Sequence, residues 1–263
     1  MRRHLYTAAL LLVSCGATGA YADGFAALVS PPRFEVDAKA GNTLRQVIEI
    51  TNRSAQPARY RIHTADFVLG SDYGVTFHDE LLADSCRPWV AIERPLVSLP
   101  ANGTMRYRFE VQVPQDAPAG ECRFAVMIEA DEPQLTKAGE VSLPIVGRIG
   151  VIVYVKVGDA APLLEVFGPQ TVTLNGRQVP AIKVHNSGNA HTRLSGFLSG
   201  KDAAGRKYDF TPSDLPILPG EVRYVFLSPS TSDNPNPTLT FPVSVQGTLE
   251  WANQSTPLDE RFK

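Results

Sequence analysis

Met105-Arg106-Tyr107-Arg108-Phe109-Glu110-Val111-Gln112-Val113 is the stretch that decides the fold class. Apolar side chains fall on every second position, with charged or amide side chains between them. A period of two belongs to an extended chain with one face on a core and the other in water. Just upstream, Leu99-Pro100-Ala101-Asn102-Gly103 is turn chemistry. Downstream, Cys122, Phe124, Val126 and Ile128 repeat the alternation, with Arg123 and Glu129 on the other parity. Further out, Leu44, Ile48 and Ile50 share one parity, as do Tyr60 and Ile62. The segments 163–167, 181–184, 192–198, 222–227 and 243–251 read as further short strands. No segment of a dozen residues carries a helical apolar stripe. Pro118-Ala119-Gly120, Asn186-Ser187-Gly188-Asn189 and Leu218-Pro219-Gly220 supply the turns between strands.

Short strands at regular spacing imply an all-β chain, and 263 residues accommodate two immunoglobulin-like antiparallel β-sandwich domains of about 100 residues each. The expected division is a leader over 1–22, one sandwich over 23–158 and a second over 159–263. The apolar strand from Ile149 to Val157 stops at Gly158-Asp159-Ala160-Ala161-Pro162, which sets that boundary. No close internal repeat relates the halves. With 43% hydrophobic residues the chain has the material for a core, and disorder is excluded. Twenty-five basic against 27 acidic residues give a net charge of −2, with no run of like charge, so nucleic acid is not an expected partner.

The first 22 residues read as an export signal: Arg2 and Arg3, an apolar run from Leu5 to Val13, then the small-x-small site Ala20-Tyr21-Ala22. The run is too short for a permanent anchor, which needs roughly 20 residues. Leu12-Val13-Ser14-Cys15-Gly16 gives an alternative, a lipoprotein box with Cys15 acylated. On either reading Cys86 and Cys122 remain, and an oxidising compartment makes a disulfide between them the expectation, against two reduced buried thiols.

The search for catalytic chemistry returns little. Gly70-Ser71-Asp72-Tyr73-Gly74 has the wrong order for a nucleophile elbow, and the segment from Gly196 to Asp202 falls short of a phosphate-binding loop. His63 lies on the polar parity of a strand and is expected to be solvated. His185 and His191 flank the Asn186–Asn189 turn, and two imidazoles alone do not make a zinc site. The expectation is a protein that is not an enzyme, with no metal, cofactor or small-molecule substrate.

Residues 140–157 carry the more specific signal. Val141, Leu143 and Ile145 alternate with Ser142 and Pro144, and a proline inside a strand marks an edge. Large apolar side chains on an edge either fill the protein's own core or serve addition of a strand from another polypeptide.

Leu28-Val29-Ser30-Pro31-Pro32-Arg33-Phe34-Glu35-Val36, the Leu99–Gly103 turn, Phe124-Ala125-Val126-Met127-Ile128 and Arg148-Ile149-Gly150-Val151 follow one another in an order and spacing that resembles the PapD-like periplasmic pilus chaperones, over residues 25–157. The resemblance implies two immunoglobulin-like domains about a cleft and a periplasmic location. It implies pilus or fimbrial subunits as clients, bound by strand donation and delivered to an outer-membrane usher. By position Arg33 and Arg148 would grip a client's C-terminal carboxylate, for which paired guanidinium groups are well shaped; Gly150 takes the place of Arg148 in a neighbouring register. Val141, Leu143 and Ile145 would enter the client's core. Departures are Gly147 and Gly150 within the last strand, Val157-Gly158 where the family has a proline, and the Cys86/Cys122 pair. The segment 185–191 together with Leu218-Pro219-Gly220 looks more like surface-exposed bacterial immunoglobulin-like proteins, so a structural or anchoring envelope protein is the alternative.

Overall fold

The structure, a computed structural model, describes residues 25–263 apart from 71–73, 139–140 and 175, and only the backbone of the remaining residues in 134–142. Residues 1–22, expected to be an export signal, with Cys15, and Ser71-Asp72-Tyr73, lie outside the described residues.

Among the described residues nineteen strands follow in chain order: β1 (Ala27–Ser30), β2 (Arg33–Ala38), β3 (Thr43–Asn52), β4 (Ala58–Leu69), β5 (Val75–His78), β6 (Val90–Ile92), β7 (Leu96–Leu99), β8 (Thr104–Gln112), β9 (Gly120–Ala130), β10 (Gln134–Ala138), β11 (Val141–Ile145), β12 (Arg148–Val157), β13 (Leu164–Leu174), β14 (Arg177–Asn186), β15 (Leu198–Lys201), β16 (Lys207–Pro212), β17 (Val222–Ser230), β18 (Val243–Trp251) and β19 (Gln254–Phe262). A single 3₁₀ turn at Arg87–Trp89 is the helical element among the described residues. The fold class is the expected one, all-β in two immunoglobulin-like units whose strand pairs are antiparallel except β2 with β12.

The first unit stacks the sheet β1-β3-β8-β6 on the sheet β2-β12-β9-β4-β5, with β7 on β4. The alternation read from the sequence is what fills the space between them. Ile48, Ile50, Tyr107, Phe109 and Val111 from one sheet meet Tyr60, Ile62, Phe124, Val126, Ile128, Val151, Val153 and Val155 from the other. Burial of each such side chain contributes about 1.5–3 kcal/mol. Phe109 sets its ring edge-on to Phe34 and Phe124, with centroids 5.4 and 6.1 Å apart. Cys86 and Cys122 form the expected disulfide, Cα atoms 5.5 Å apart, fastening the segment after β5 to β9. Asp66 holds the same segment by accepting from Leu82 N and Ser85 Oγ.

The second unit is one seven-stranded sheet, β13-β14-β17-β16-β15-β18-β19, curled until its end strands β13 and β19 approach each other. Its interior holds Ile182, Val184, Phe210, Val225, Leu227, Val245, Leu249 and Phe262.

Three expectations change. The segment 192–198 is not a strand: it makes only the bridges Thr192–Ile217 and Ser195–Glu250 before β15 begins. Gly196 sits at φ +139 with Thr248 O 2.0 Å from where a Cβ would stand, so the backbone there departs from a regular ladder. Gly150 does not interrupt the last strand of the first unit, because β12 runs through it and the Phe77 ring fills the vacant side-chain position; a Cβ would lie 2.4 Å from Phe77 Cζ. The halves also share a construction that the sequence reading missed. Asn52 ends β3 fully buried, donating to Gln56 O and Pro100 O and accepting from Ser54 N. Asn186 ends β14 fully buried, donating to Ala190 O and Ile217 O and accepting from Leu163 N and Gly188 N. Each amide fastens its own turn to the distant proline-glycine turn of its unit.

Asn186→Ala would leave two buried carbonyls, of Ala190 and Ile217, and two partly buried N–H groups, of Leu163 and Gly188, without this partner. We expect a loss of about 2–4 kcal/mol of unfolding free energy, read from urea denaturation. An unchanged midpoint would remove the amide from its role as a tie.

Candidate functional site

The face of the β2-β12-β9-β4-β5 sheet turned away from its own core is itself apolar. Ala65, Phe67, Ala125, Met127 and Tyr154 are buried there, and Leu218 from the second unit packs onto them. The alternation explains how: Val151, Val153, Val155 and Val157 point to the core, so Ile152 and Tyr154 point to the outer face. The two units therefore meet over this face, and the charges that rim it form the site.

Parallel pairing of β2 with β12 puts Arg33 opposite Ile152 and Glu35 opposite Tyr154. Glu121, one residue into β9, is brought to the same seam. From the second unit, the turn tied by Asn186 delivers His191, whose ring stacks on Tyr154 with centroids 3.9 Å apart and planes 28° from parallel. His191 Nδ1 lies 2.6 Å from Glu121 Oε2, and the His191 backbone N–H donates to the same oxygen at 3.2 Å. The Glu121 side chain has no solvent exposure, and its Oε1 makes no hydrogen bond. Arg193 Nη1 donates to Glu35 Oε1 at 2.5 Å and to His191 Nε2 at 2.9 Å. An arginine can only donate, so Nε2 accepts and the ring proton sits on Nδ1, toward Glu121.

Arg33 Nε reaches Glu35 Oε1 at 2.9 Å, and Arg33 Nη1 faces Asp214 Oδ2 at 3.8 Å. Arg193 Nε faces Asp214 Oδ1 at 3.4 Å, and its guanidinium stands over the Tyr154 ring. Burial pushes the Tyr154 hydroxyl up to about 12. For Glu35, partial burial acts to raise the pKa, but the charges of Arg193 and Arg33 outweigh it and hold the carboxyl below its usual value of 4.5.

The expected convergence of Arg33 with Arg148 is not found. Arg148 lies four positions before Ile152 on β12, about 13 Å along the strand from the residue opposite Arg33. It pairs instead with Glu129 on β9, 3.9 Å away, with its guanidinium over the Phe77 ring. Gly150 is likewise two positions short of Ile152. The cation that accompanies Arg33 is Arg193 of the second unit. Leu143 and Ile145 are exposed on β11, at 47% and 48%, and Val141 pairs through its backbone with Ala138. Ribbon β10–β11 pairs with no other strand among the described residues. Beside it, β2 reaches along β12 only as far as Ile152, so β9 alone pairs with residues 148–151. His63, expected in solvent, is partly buried, with Nδ1 lacking a hydrogen-bond partner.

Glu35, Glu121, His191, Arg193 and Asp214 were missed because no local pattern marks them. Their association depends on how two folded units dock, and the nearest signal was the turn before His191, whose residues were read only as turn formers.

No protein-family model and no curated protein matches the chain. Solved structures similar to it include several fimbrial chaperones, all at low sequence identity. The class 5 fimbriae chaperone CfaA is 15% identical, with 89% of this chain and 98% of that one covered and a TM-score of 0.47. The SafB chaperone in complex with the SafA pilin of Salmonella enterica gives 14%, 90% and 96%, and 0.47. The E. coli chaperone DraB gives 13%, 91% and 97%, and 0.46.

Because the Glu35 pKa is lowered in the folded protein, its contribution to stability is complete above about pH 4.5 and is lost as pH falls through the folded pKa. The gap in melting temperature between the wild type and Glu35→Gln should therefore be open at pH 7 and close as pH falls from 4.5 through the lowered folded-state pKa. A gap independent of pH would mean that the ionised carboxylate is not what joins Arg33 to Arg193.

Proposed function

We propose that this protein is a periplasmic chaperone that binds pilus or fimbrial subunits by lending them an edge strand and passes them to an outer-membrane usher. The observation that carries the reading is the unpaired side of β11, with Leu143 and Ile145 exposed on one parity of an edge that no other strand covers among the described residues. Bare ladder groups beside alternating large apolar side chains form a template for another polypeptide. Pro144, opposite Leu135, is a residue compatible with an edge and not with the middle of a sheet. The open stretch of β12 at 148–151 continues the same line toward Arg33.

Along that line Val141, Leu143 and Ile145 are the inserts that complete a client's core, and Arg33 in the cleft is the group that grips its terminal carboxylate. Arg148, at the base of the ribbon, borders the incoming strand and does not share the carboxylate. The first unit, over 23–158, supplies the strand, and the second, over 159–263, closes the cleft behind Arg33. Cys15 and the residues around it belong to the export step.

Leu143→Glu should reduce capture of a coexpressed pilin subunit at least tenfold, because a carboxylate would enter an apolar groove. Co-purification from periplasmic extract reads this directly, with an unchanged circular dichroism spectrum as the fold control. Arg33→Ala should also lower the captured amount. Wild-type capture by Leu143→Glu would leave a structural or anchoring envelope protein as the better reading.

A further inference from the structure

The second unit carries a groove of about 620 Å³ on the outer face of its sheet, and none of the residues named at the seam lines it. Two rows of side chains cross this face at right angles to the strands. The register aligns Ser230, Asp209, Ser199, Gln246 and Asp259 in the first row, one from each of β17, β16, β15, β18 and β19. With neighbouring strands about 4.8 Å apart, that row is about 19 Å long. The second row stands two residues away along each strand and aligns Lys207, Lys201, Ser244 and Arg261. Both rows point outward, because Leu198, Tyr208, Val245 and Leu258 on the other parity fill the core. Lys201 is directly opposite Lys207, an arrangement that like-charge repulsion disfavours and that a bound anion relieves. Lys201 is also diagonal to Asp209, within reach of a long side chain. Yet Lys201, Lys207, Asp209, Asp259 and Arg261 are exposed and form no ion pair among the described residues.

We propose that this groove binds an acidic oligosaccharide, laid across the strands with its hydroxyls on the first row and its carboxylates on the second. The site stands independently of the chaperone reading. Each row selects one half of the ligand's chemistry. Ionised Asp209 and Asp259 can only accept, so they call for donors, while the serine hydroxyls and the Gln246 amide both donate and accept. The neighbouring hydroxyls of a sugar ring supply both roles along the whole row. Thr231 and Ser232 add hydroxyls where the row ends at β17. Lys201 and Lys207 take the carboxylates, with charge-assisted hydrogen bonds. Phe197, two residues before Ser199, is 92% exposed, and its carbonyl lies beside Gly247 of β18. Its ring offers the apolar C–H side of a sugar a surface to rest on. Other polymers fit less well. A nucleic-acid strand would bring phosphates against Asp209 and Asp259. An added peptide strand needs free ladder groups, and β16, β15 and β18 are paired on both edges.

The test titrates the mature protein with tetragalacturonate and follows its backbone amide resonances. Two controls divide the ligand's chemistry: the methyl ester of the same tetramer keeps the hydroxyls without the charge, and tetraglutamate keeps the charge without the hydroxyls. Tetragalacturonate should bind saturably and move the signals of Ser199, Lys201, Asp209 and Gln246. Each control should bind about tenfold more weakly. Lys201→Gln should weaken tetragalacturonate binding about tenfold and leave the ester unaffected, whereas Gln246→Ala should weaken both about threefold. Both residues are exposed, so an unchanged melting temperature serves as the fold control. Absence of saturable tetragalacturonate binding overturns the proposal. Equal binding of tetraglutamate also overturns it, leaving a surface that attracts anions at large, and so does wild-type affinity in Lys201→Gln.

Discussion

Glu121 places a carboxylate with no solvent exposure where the two units meet, and much of the interface geometry follows from satisfying it. An ionised group taken out of water needs donors close by. His191 supplies two, its ring Nδ1–H and its backbone N–H, so both the side chain and the main chain of one loop are committed to one oxygen. That loop must be stiff, and Asn186 makes it so by tying its start to Ala190 and Ile217. Once His191 is fixed, its ring covers Tyr154, and its Nε2 accepts from Arg193, which orients that guanidinium toward Glu35 and Asp214. Arg33 then faces, beside Glu35 of its own strand, a cation and an anion, Arg193 and Asp214, whose positions were set from the other unit. The cleft is thus built outward from a buried charge.

The same logic divides what the sequence could show from what it could not. Alternation in 105–113 and 122–128 places residues correctly on the core side, because a period of two depends on nothing beyond the strand itself. The pairing of Cys86 with Cys122 was accessible by counting. Arg148 was misjudged because its role depended on register: a parallel ladder between β2 and β12 aligns Arg33 with Ile152, and no feature of either strand announces that offset. The segment 192–198 looked like a strand by composition, yet the close approach of Thr248 O to Gly196 breaks the ladder there. Asn52 and Asn186 escaped notice as a repeated device because their surroundings differ. The first is followed by Arg53-Ser54 and the second by Ser187-Gly188, and only the carbonyls they reach make them alike.

The apolar outer face of the β2-β12-β9-β4-β5 sheet shows how one surface serves two ends. Near β2 it is covered by Leu218 and by the stacked pair of Tyr154 and His191. Toward β5 it is covered by Phe77, which rests on Gly150 and Met127. The strands β9 and β12 are therefore buried on both faces along much of their length, and a strand so enclosed is stiff. Ribbon β10–β11 leaves from the end of β9 and returns to the start of β12, so it is mounted on the least yielding part of the first unit.

Residue 150 separates two regimes of tolerance to change along one strand. Any side chain there would collide with the Phe77 ring, which would have to turn out of its place on the outer face of the sheet. Two positions earlier, Arg148 is exposed and its ion pair is long, so many residues would serve. Random mutagenesis of β12 should therefore give a record that is blank at one codon and crowded at another two triplets away. That contrast would report the position of a single aromatic ring without any coordinates.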